Sequence, residues 1–189
     1  STGPFRLTYS TMFDPPIELH QRFEAALAQV RTQLGADQAM WIGGRARSAK
    51  VAFEVASPID RDWLLGRFPQ GTPGDVADAV AAAQGAFPAW AATPWQERVR
   101  LLQRAADLIE QRVYAISAAV ALEIGKNRME ALGEVQETAD LVRWYCEQMQ
   151  ANEGFDRVLP DDPLPGFRSH NRTRLRPYGV WAVIAPFNF

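Results

Sequence analysis

Hydrophobic residues recur at two different periods in the first part of the chain. Residues 17–34 carry apolar side chains at roughly helical spacing and lead to a glycine, which predicts an amphipathic helix. The period then shortens to two, which predicts strands within 40–45, 51–56 and 63–68. Gly43 and Gly44 are typical of a hairpin turn after the first strand.

The helical period returns at Thr72. Thr72 and Thr93 each precede a proline and stand three residues before an acid or an amide, so each predicts an N-cap with a capping box. The helices that begin there are expected to run to about Trp90 and about Ile109.

Two further helices are predicted, at about 111–124 and about 128–150. The fourth helix carries an apolar stripe at steps of three and four residues, formed by Met129, Leu132, Val135, Ala139, Val142, Cys146 and Met149. This regular spacing predicts that the stripe belongs to the core.

The chain returns to strand patterns after a polar, proline-rich connection at 151–171. Residues 180–185 form a continuous apolar run, which is typical of a strand buried on both faces of a parallel α/β sheet. Such a strand needs a covering helix, and only a few residues follow it before Phe189. We therefore interpret the chain as a fragment of a longer α/β protein.

Composition limits the classes of function. The 189 residues contain 20 basic and 22 acidic side chains, and this balance argues against a nucleic-acid-binding protein. No apolar run approaches the roughly 20 residues that cross a bilayer, so no membrane association is expected. One cysteine, Cys146, excludes an internal disulfide and favours a cytoplasmic protein.

Several residues that often carry chemistry are assigned structural roles. The histidines, His20 and His170, lie in no metal-ligand motif, so no metal site is predicted and solvent exposure is the favoured interpretation. Cys146 lies on the apolar stripe and is expected to pack there. Three alternating arginines could form an anion-binding face, although a solvated face of an edge strand is favoured: Arg172, Arg174 and Arg176.

Glu137 is a candidate functional carboxylate. It lies nearly opposite the core stripe of the fourth helix, in line with Leu141 and Trp144. A solvated helix face does not usually carry Leu and Trp, so this second face is expected to be covered. The pattern is equally compatible with an exposed glutamate beside a tryptophan that covers a neighbouring helix.

Asn188 follows the predicted buried strand. Ligands of open α/β sheets bind beyond the carboxyl ends of the strands, so this amide is expected at a binding site. It could donate a hydrogen bond to a developing oxyanion. The alternative is that Asn188 caps a following helix.

These residues resemble a known family. The segment Ile184-Ala185-Pro186-Phe187-Asn188-Phe189 is similar to the Pro-Trp-Asn-Phe-Pro segment of aldehyde dehydrogenases. Supporting similarities occur at 41–44, 57–58, 123–127 and 177–180 and at the two threonine helix starts. Residues 123–145 and the arm at 4–6 most resemble the 1-pyrroline-5-carboxylate (L-glutamate γ-semialdehyde) dehydrogenases.

The resemblance implies roles for residues at the end of the chain. Asn188 would be the catalytic oxyanion-hole donor, and Phe189 would form an aromatic wall of the aldehyde channel. NAD would contact four residues mainly through their backbone, namely Ile184, Ala185, Pro186 and Phe187. Phe187 departs from the family pattern, which has tryptophan there. Glu137 would lie beside the substrate.

The implied reaction is the NAD-dependent oxidation of L-glutamate γ-semialdehyde to glutamate in proline catabolism. A thiolate would attack the aldehyde, a hydride would pass to NAD, and the thioester would be hydrolysed. The family's nucleophilic cysteine, general base and glycine-rich cofactor turn have no counterparts in these 189 residues, so the isolated chain is expected to be inactive. The alternatives are a dehydrogenase for another semialdehyde, such as succinate semialdehyde, and a non-catalytic interaction module.

The resemblance also divides the chain and predicts a homo-oligomer. Residues 1–167 would be the amino-terminal part of the NAD-binding domain, with helices and hairpins. Residues 168–178 would begin the strand flap used in oligomerisation, and 179–189 would be the first strand of the dinucleotide-binding core.

Overall fold

Five α-helices and three short pairs of strands make up the described chain, which comprises Leu7 and residues 13–185 of the computed structural model. The helices are α1 (Ile17–Arg31), α2 (Pro73–Ala92), α3 (Trp95–Gln111), α4 (Val113–Ile124) and α5 (Arg128–Ala151). The strands are β1 (Met40–Ile42), β2 (Arg45–Arg47), β3 (Ala52–Ala56), β4 (Leu64–Pro69), β5 (Asp156–Val158) and β6 (Arg172–Arg174). The four predicted long helices and the predicted first helix are therefore present.

The strands form three separate antiparallel pairs, β1–β2, β3–β4 and β5–β6. In the first hairpin Met40 pairs with Arg47 and Ile42 with Arg45. The two turn residues between these strands, Gly43 and Gly44, have φ angles of 59° and 75°. Both angles lie in the left-handed region that a two-residue hairpin turn requires, which confirms the prediction of a Gly-Gly turn.

The predicted helix starts have different outcomes. Thr72 caps α2 with a full capping box, because its hydroxyl accepts a hydrogen bond from the backbone N–H of Asp75 and its own N–H donates to that carboxylate. The capping box predicted at Thr93 is wrong. The hydroxyl of Thr93 instead donates to the carbonyl of Ala89, 2.9 Å away, so it completes the end of α2 while α3 begins at Trp95.

The core is built from helices in close contact. One cluster joins α1, α4 and α5, and its buried members are Leu19, Phe23, Ala118, Ala121, Ala131 and Leu132. A second contact joins α3 to α5, where Val99, Ala106, Ala139 and Cys146 are buried. Alanine at these positions lets the helix backbones approach closely and buries small side chains completely.

The strand predicted at 180–185 is not formed in the described part of the chain. The structure gives residues 179–185 neither helix nor strand, and Ile184 is 92% exposed. A parallel strand needs a neighbouring strand for its backbone hydrogen bonds, and the described residues supply none. No helix among these residues is long and apolar enough to cross a membrane.

Candidate functional site

Helix α5 has two faces of opposite character. The predicted apolar stripe is confirmed as core, because Leu132, Val135, Ala139 and Cys146 are buried against neighbouring helices. Burial also raises the pKa of the Cys146 thiol, which disfavours the reactive thiolate. Cys146 therefore packs, as its position on the stripe predicts.

The other face of α5, which the sequence predicted to be covered, is left open by the described residues. Glu137 is exposed, and Leu141 and Trp144 are each about half exposed. The Glu137 carboxylate makes no side-chain hydrogen bond or ion pair within the part of the chain that the structure describes. The Trp144 ring contacts Tyr145 edge to face, with 5.1 Å between ring centroids. This face therefore presents a carboxylate beside apolar and aromatic side chains.

The start of α5 is held by polar contacts at the corner after α4. Asn127 caps the helix by accepting a hydrogen bond from the N–H of Glu130 at 2.9 Å. The buried ammonium of Lys126 pairs with Glu134, one turn before Glu137. Because the charge of Lys126 is desolvated, its pairing with Glu134 helps to hold this corner.

A second polar cluster joins the middle of α5 to α3. The buried amide of Gln136 donates to Glu110 at 3.0 Å and to Asp140 at 3.1 Å. About two turns beyond Gln136, Arg143 pairs with Asp107 and Glu110. These contacts join α5 to α3 beside the apolar stripe, so the exposed carboxylate of Glu137 lies on a helix that is held along its length.

A third anchor comes from the segment that follows β3. The hydroxyl of Ser57 is buried and donates to the carbonyl of Leu122 at 2.5 Å, near the end of α4. The same oxygen accepts a hydrogen bond from the N–H of Ile59. The break in strand pattern predicted at Ser57-Pro58 is therefore the point where the hairpin layer is joined to the helices.

The predicted cofactor and catalytic segment lies mostly outside the described residues. Ile184 and Ala185 are described, and their side chains are exposed. Pro186, Phe187, Asn188 and Phe189 lie outside the described part of the chain. The described contacts thus do not bring Glu137 together with the end of the chain, and the roles assigned to these residues remain predictions.

The alternating arginines have an internal partner. Arg172 binds the Asp156 carboxylate with two guanidinium nitrogens, and Arg174 pairs with the same carboxylate at 3.2 Å. The hydrogen bond from Arg172 lowers the pKa of Asp156. Two of the three arginines therefore stabilise the β5–β6 hairpin, so neither sequence interpretation describes them fully.

The solvent exposure predicted for His20 is only partly correct. The residue is half-buried, and its ring Nδ1 lies 3.1 Å from a guanidinium nitrogen of Arg128.

The sequence does not reveal one surface feature, which we call the aromatic groove. It is a cleft of about 630 Å³ between α3, α5 and residues 175–177. Its main aromatic walls are Trp90, Trp95, Trp144, Tyr145 and Phe155. These residues come from different helices and from the segment after α5, so no local pattern joins them. The only signal in the sequence is the pair of tryptophans at neighbouring helix ends, Trp90 and Trp95.

Comparison with known proteins identifies the family. Residues 45–189 match the model of the aldehyde dehydrogenase family, and the chain belongs to that family. It is 30% identical over 169 residues to 1-pyrroline-5-carboxylate dehydrogenase of Staphylococcus epidermidis, covering 89% of this chain and 32% of that protein. It is 34% identical over 152 residues to N-succinylglutamate 5-semialdehyde dehydrogenase of Serratia proteamaculans, covering 80% of this chain and 30% of that protein.

Solved structures agree with this assignment. The fold is similar to that of Thermus 1-pyrroline-5-carboxylate dehydrogenase with bound NAD, with a TM-score of 0.75, 27% identity, and coverage of 88% of this chain and 32% of that one. The Mycobacterium tuberculosis Δ-pyrroline-5-carboxylate dehydrogenase gives a TM-score of 0.72, 28% identity, and coverage of 86% and 29%. The chain therefore has the fold of the amino-terminal part of an aldehyde dehydrogenase, as predicted, and spans about a third of the length of its relatives.

Proposed function

We propose that this chain is the amino-terminal part of an NAD-dependent dehydrogenase that oxidises L-glutamate γ-semialdehyde to glutamate in proline catabolism. Support comes from relatives in several bacteria that are named 1-pyrroline-5-carboxylate dehydrogenase and are about 30% identical to it. We also propose that the 189 residues alone are inactive, because the family's nucleophile and general base have no counterparts among them.

The observation that carries the substrate assignment is the open face of α5. Glu137 places a carboxylate that has no partner among the described residues on a helix held by the Lys126–Glu134 and Gln136 contacts. L-Glutamate γ-semialdehyde differs from a simple aldehyde by its α-amino and α-carboxylate groups. We propose that Glu137 binds the α-ammonium group, and that Leu141 contacts the methylene chain of the substrate.

The chemistry at the aldehyde carbon is assigned to the end of the chain. We propose that the Asn188 amide donates to the oxygen that becomes negatively charged when the thiolate adds, and that Phe189 excludes water beside it. Ile184 and Ala185 belong to neither helix nor strand and are exposed, which fits contact with the nicotinamide half of NAD through their backbone. NAD, when bound, accepts the hydride.

The assignments of domains and assembly are further parts of the proposal. We propose that residues 1–167 and 179–189 belong to the NAD-binding domain and that 168–178 begin an oligomerisation flap. The β5–β6 hairpin, stabilised by Arg172 and Asp156, includes three residues of that flap and gives it an ordered base. We further propose a cytoplasmic homo-oligomer.

A second candidate is a dehydrogenase for another semialdehyde. The Serratia relative is named N-succinylglutamate 5-semialdehyde dehydrogenase and is 34% identical over 152 residues. N-Succinylation replaces the α-ammonium group by a neutral amide and adds a carboxylate. Because Glu137 would repel added negative charge, the exposed carboxylate favours the free amino acid semialdehyde.

The test compares variants of the complete dehydrogenase. Glu137→Gln is expected to weaken transition-state binding of L-glutamate γ-semialdehyde by about 1–3 kcal/mol, which lowers its kcat/KM. The kcat/KM for propanal is expected to change far less. Glu147→Gln is the matched control, because Glu147 is also exposed on α5. Equal losses with both aldehydes would remove Glu137 from the substrate site. A preference for N-succinylglutamate semialdehyde would select the second candidate, and no NAD reduction with any aldehyde would support a non-catalytic module.

A further inference from the structure

Gln136 is a buried glutamine at the contact between α5 and α3, where it is only 6% exposed. Its amide nitrogen donates to the Glu110 carboxylate of α3 at 3.0 Å and to Asp140, one turn further along α5, at 3.1 Å. Ionised carboxylates accept hydrogen bonds and do not donate them, so they require the nitrogen of the amide to face them. The hydrogen bond to Glu110 therefore joins the two helices with a defined direction.

The Glu110 carboxylate is shared between two residues of α5. Its Oε1 accepts a hydrogen bond from Gln136, and its Oε2 accepts one from Arg143 at 2.7 Å. Arg143 also donates to Asp107, about one turn earlier on α3. Because these contacts lie about two turns apart on α5 and one turn apart on α3, they oppose both sliding and rotation of one helix against the other.

The apolar part of the same contact is less selective. Its buried side chains include Ala106 and Ala139, and hydrophobic burial has no preferred direction. A surface of methyl groups therefore tolerates a small rotation, whereas a hydrogen bond weakens steeply when its angle changes. Buried polar groups often add little net stability relative to apolar groups of similar volume, but they can select one register of packed helices.

The rotation of α5 about its own axis sets where Glu137 points. Glu137 follows Gln136 directly, so the two side chains leave the helix about 100° apart. A helix with its side chains has a radius of about 5–6 Å, so a rotation of about 20° moves a side-chain tip by about 2 Å. A misplacement of about 1 Å in a binding group can lower a rate about 100-fold.

We propose that Gln136 is a positioning residue for Glu137, because its hydrogen bond to Glu110 fixes the rotation of α5. This inference rests on the proposed function, in which Glu137 binds the α-ammonium group of L-glutamate γ-semialdehyde. Gln136 acts through Glu137, since its own amide is held between the two carboxylates at the helix contact. Its effect is therefore confined to aldehydes that carry an α-ammonium group.

The test replaces Gln136 by methionine in the complete dehydrogenase. Methionine keeps the unbranched shape and the helix propensity of glutamine but removes its hydrogen-bond donors. Gln136→Met is expected to raise the KM for L-glutamate γ-semialdehyde about tenfold and to change its kcat by less than about twofold. The kcat/KM for propanal is expected to change by less than about twofold, and the Tm by less than about 3 °C. Gln150→Met is the matched control, because Gln150 is exposed near the end of α5, and its KM is expected to be that of wild type.

A double variant shows whether Gln136 acts through Glu137. When Glu137→Gln is already present, no carboxylate is left to position, so Gln136→Met is expected to raise the KM further by less than about twofold. A full increase of about tenfold in both backgrounds would show that the two residues act independently, and would overturn the proposal.

Two other results would also overturn it. An unchanged KM for L-glutamate γ-semialdehyde in Gln136→Met would show that the apolar contact alone holds α5 in place. Equal losses with propanal, together with a lower Tm, would give Gln136 a purely structural role. The two proposals fail in different ways. A Glu137→Gln enzyme that loses activity equally with both aldehydes contradicts the proposed function, whereas a selective Glu137→Gln beside an unselective Gln136→Met contradicts this inference alone.

Discussion

Replacing Gly154 by alanine tests the packing of α3 against the end of α5. Gly154 is buried in the short 3₁₀ turn Glu153–Phe155 and has a φ of 75°. A Cβ at this position would lie 2.5 Å from Nε1 of Trp95 and closer still to its Cδ1. Real Cβ atoms do not approach other atoms so closely, so the indole ring or the turn has to move.

The expected loss has two components. A left-handed φ costs a residue with a Cβ about 1 kcal/mol relative to glycine. Overfilling a packed site adds about 1–3 kcal/mol, because Trp95 is already in contact with the turn. Gly154→Ala is therefore expected to lower the free energy of unfolding by about 2–4 kcal/mol.

Two other glycines separate these components. Gly44 also has a φ of 75°, but a Cβ there would meet nothing within 4 Å, so Gly44→Ala reports the backbone cost of about 1 kcal/mol alone. Gly71 has neither a left-handed φ nor a close neighbour, so Gly71→Ala is expected to stay within about 0.5 kcal/mol of wild type.

Urea unfolding of the four chains, followed by far-ultraviolet circular dichroism, gives the free energies. Tryptophan fluorescence gives a second measurement, because displacement of Trp95 is expected to change the emission of the Gly154→Ala chain before unfolding. If Gly154→Ala were no less stable than Gly44→Ala, the close approach of Trp95 to the turn would be refuted.

Two further substitutions test the anchors of the fold. Ser57→Ala is expected to cost about 1–3 kcal/mol in urea unfolding, because the buried carbonyl of Leu122 loses its hydrogen-bond donor, and an unchanged midpoint would show that water replaces the hydroxyl. Hydrogen bonds from Thr72, with a further one from Arg47, lower the pKa of Asp75 from 3.8 to about 2. The stabilisation from ionised Asp75 is therefore complete above about pH 4 and is lost as the pH falls through about 2, so the stability difference between wild type and Asp75→Asn should shrink over that interval. A difference that is constant from pH 5 to about pH 2 would contradict this assignment.

Local pattern was sufficient to predict most elements of the fold. The capping box at Thr72 and the helical stripe on α5 depend on residues within a few positions of one another, and both are confirmed. The Gly43-Gly44 turn is equally local, because a left-handed backbone is a property of those two residues. The residues that resemble aldehyde dehydrogenases likewise indicated the family before any contact was known.

The candidate site was predicted only in part. The position of Glu137 opposite the core stripe follows from the period of α5, whereas the cover expected over that face is not supplied by the described residues. Its substrate role and the roles of Asn188 and Phe189 rest on resemblance and remain predictions. The Lys126–Glu134 and Gln136–Glu110 contacts were not predicted, because pairing between polar side chains depends on how the helices approach each other.

Tertiary structure decided the features that join distant residues. Thr93 lies in a sequence pattern typical of an N-cap, but its hydroxyl donates a hydrogen bond to the carbonyl of Ala89 at the end of α2. The apolar run at 180–185 has the composition of a buried strand, yet it forms none within the described residues because a strand requires a neighbour. The aromatic groove exists only where α3, α5 and residues 175–177 meet. The spacing of apolar residues in the sequence shows which face of a helix or strand is apolar. Which element packs against that face is decided by the three-dimensional packing of the whole chain.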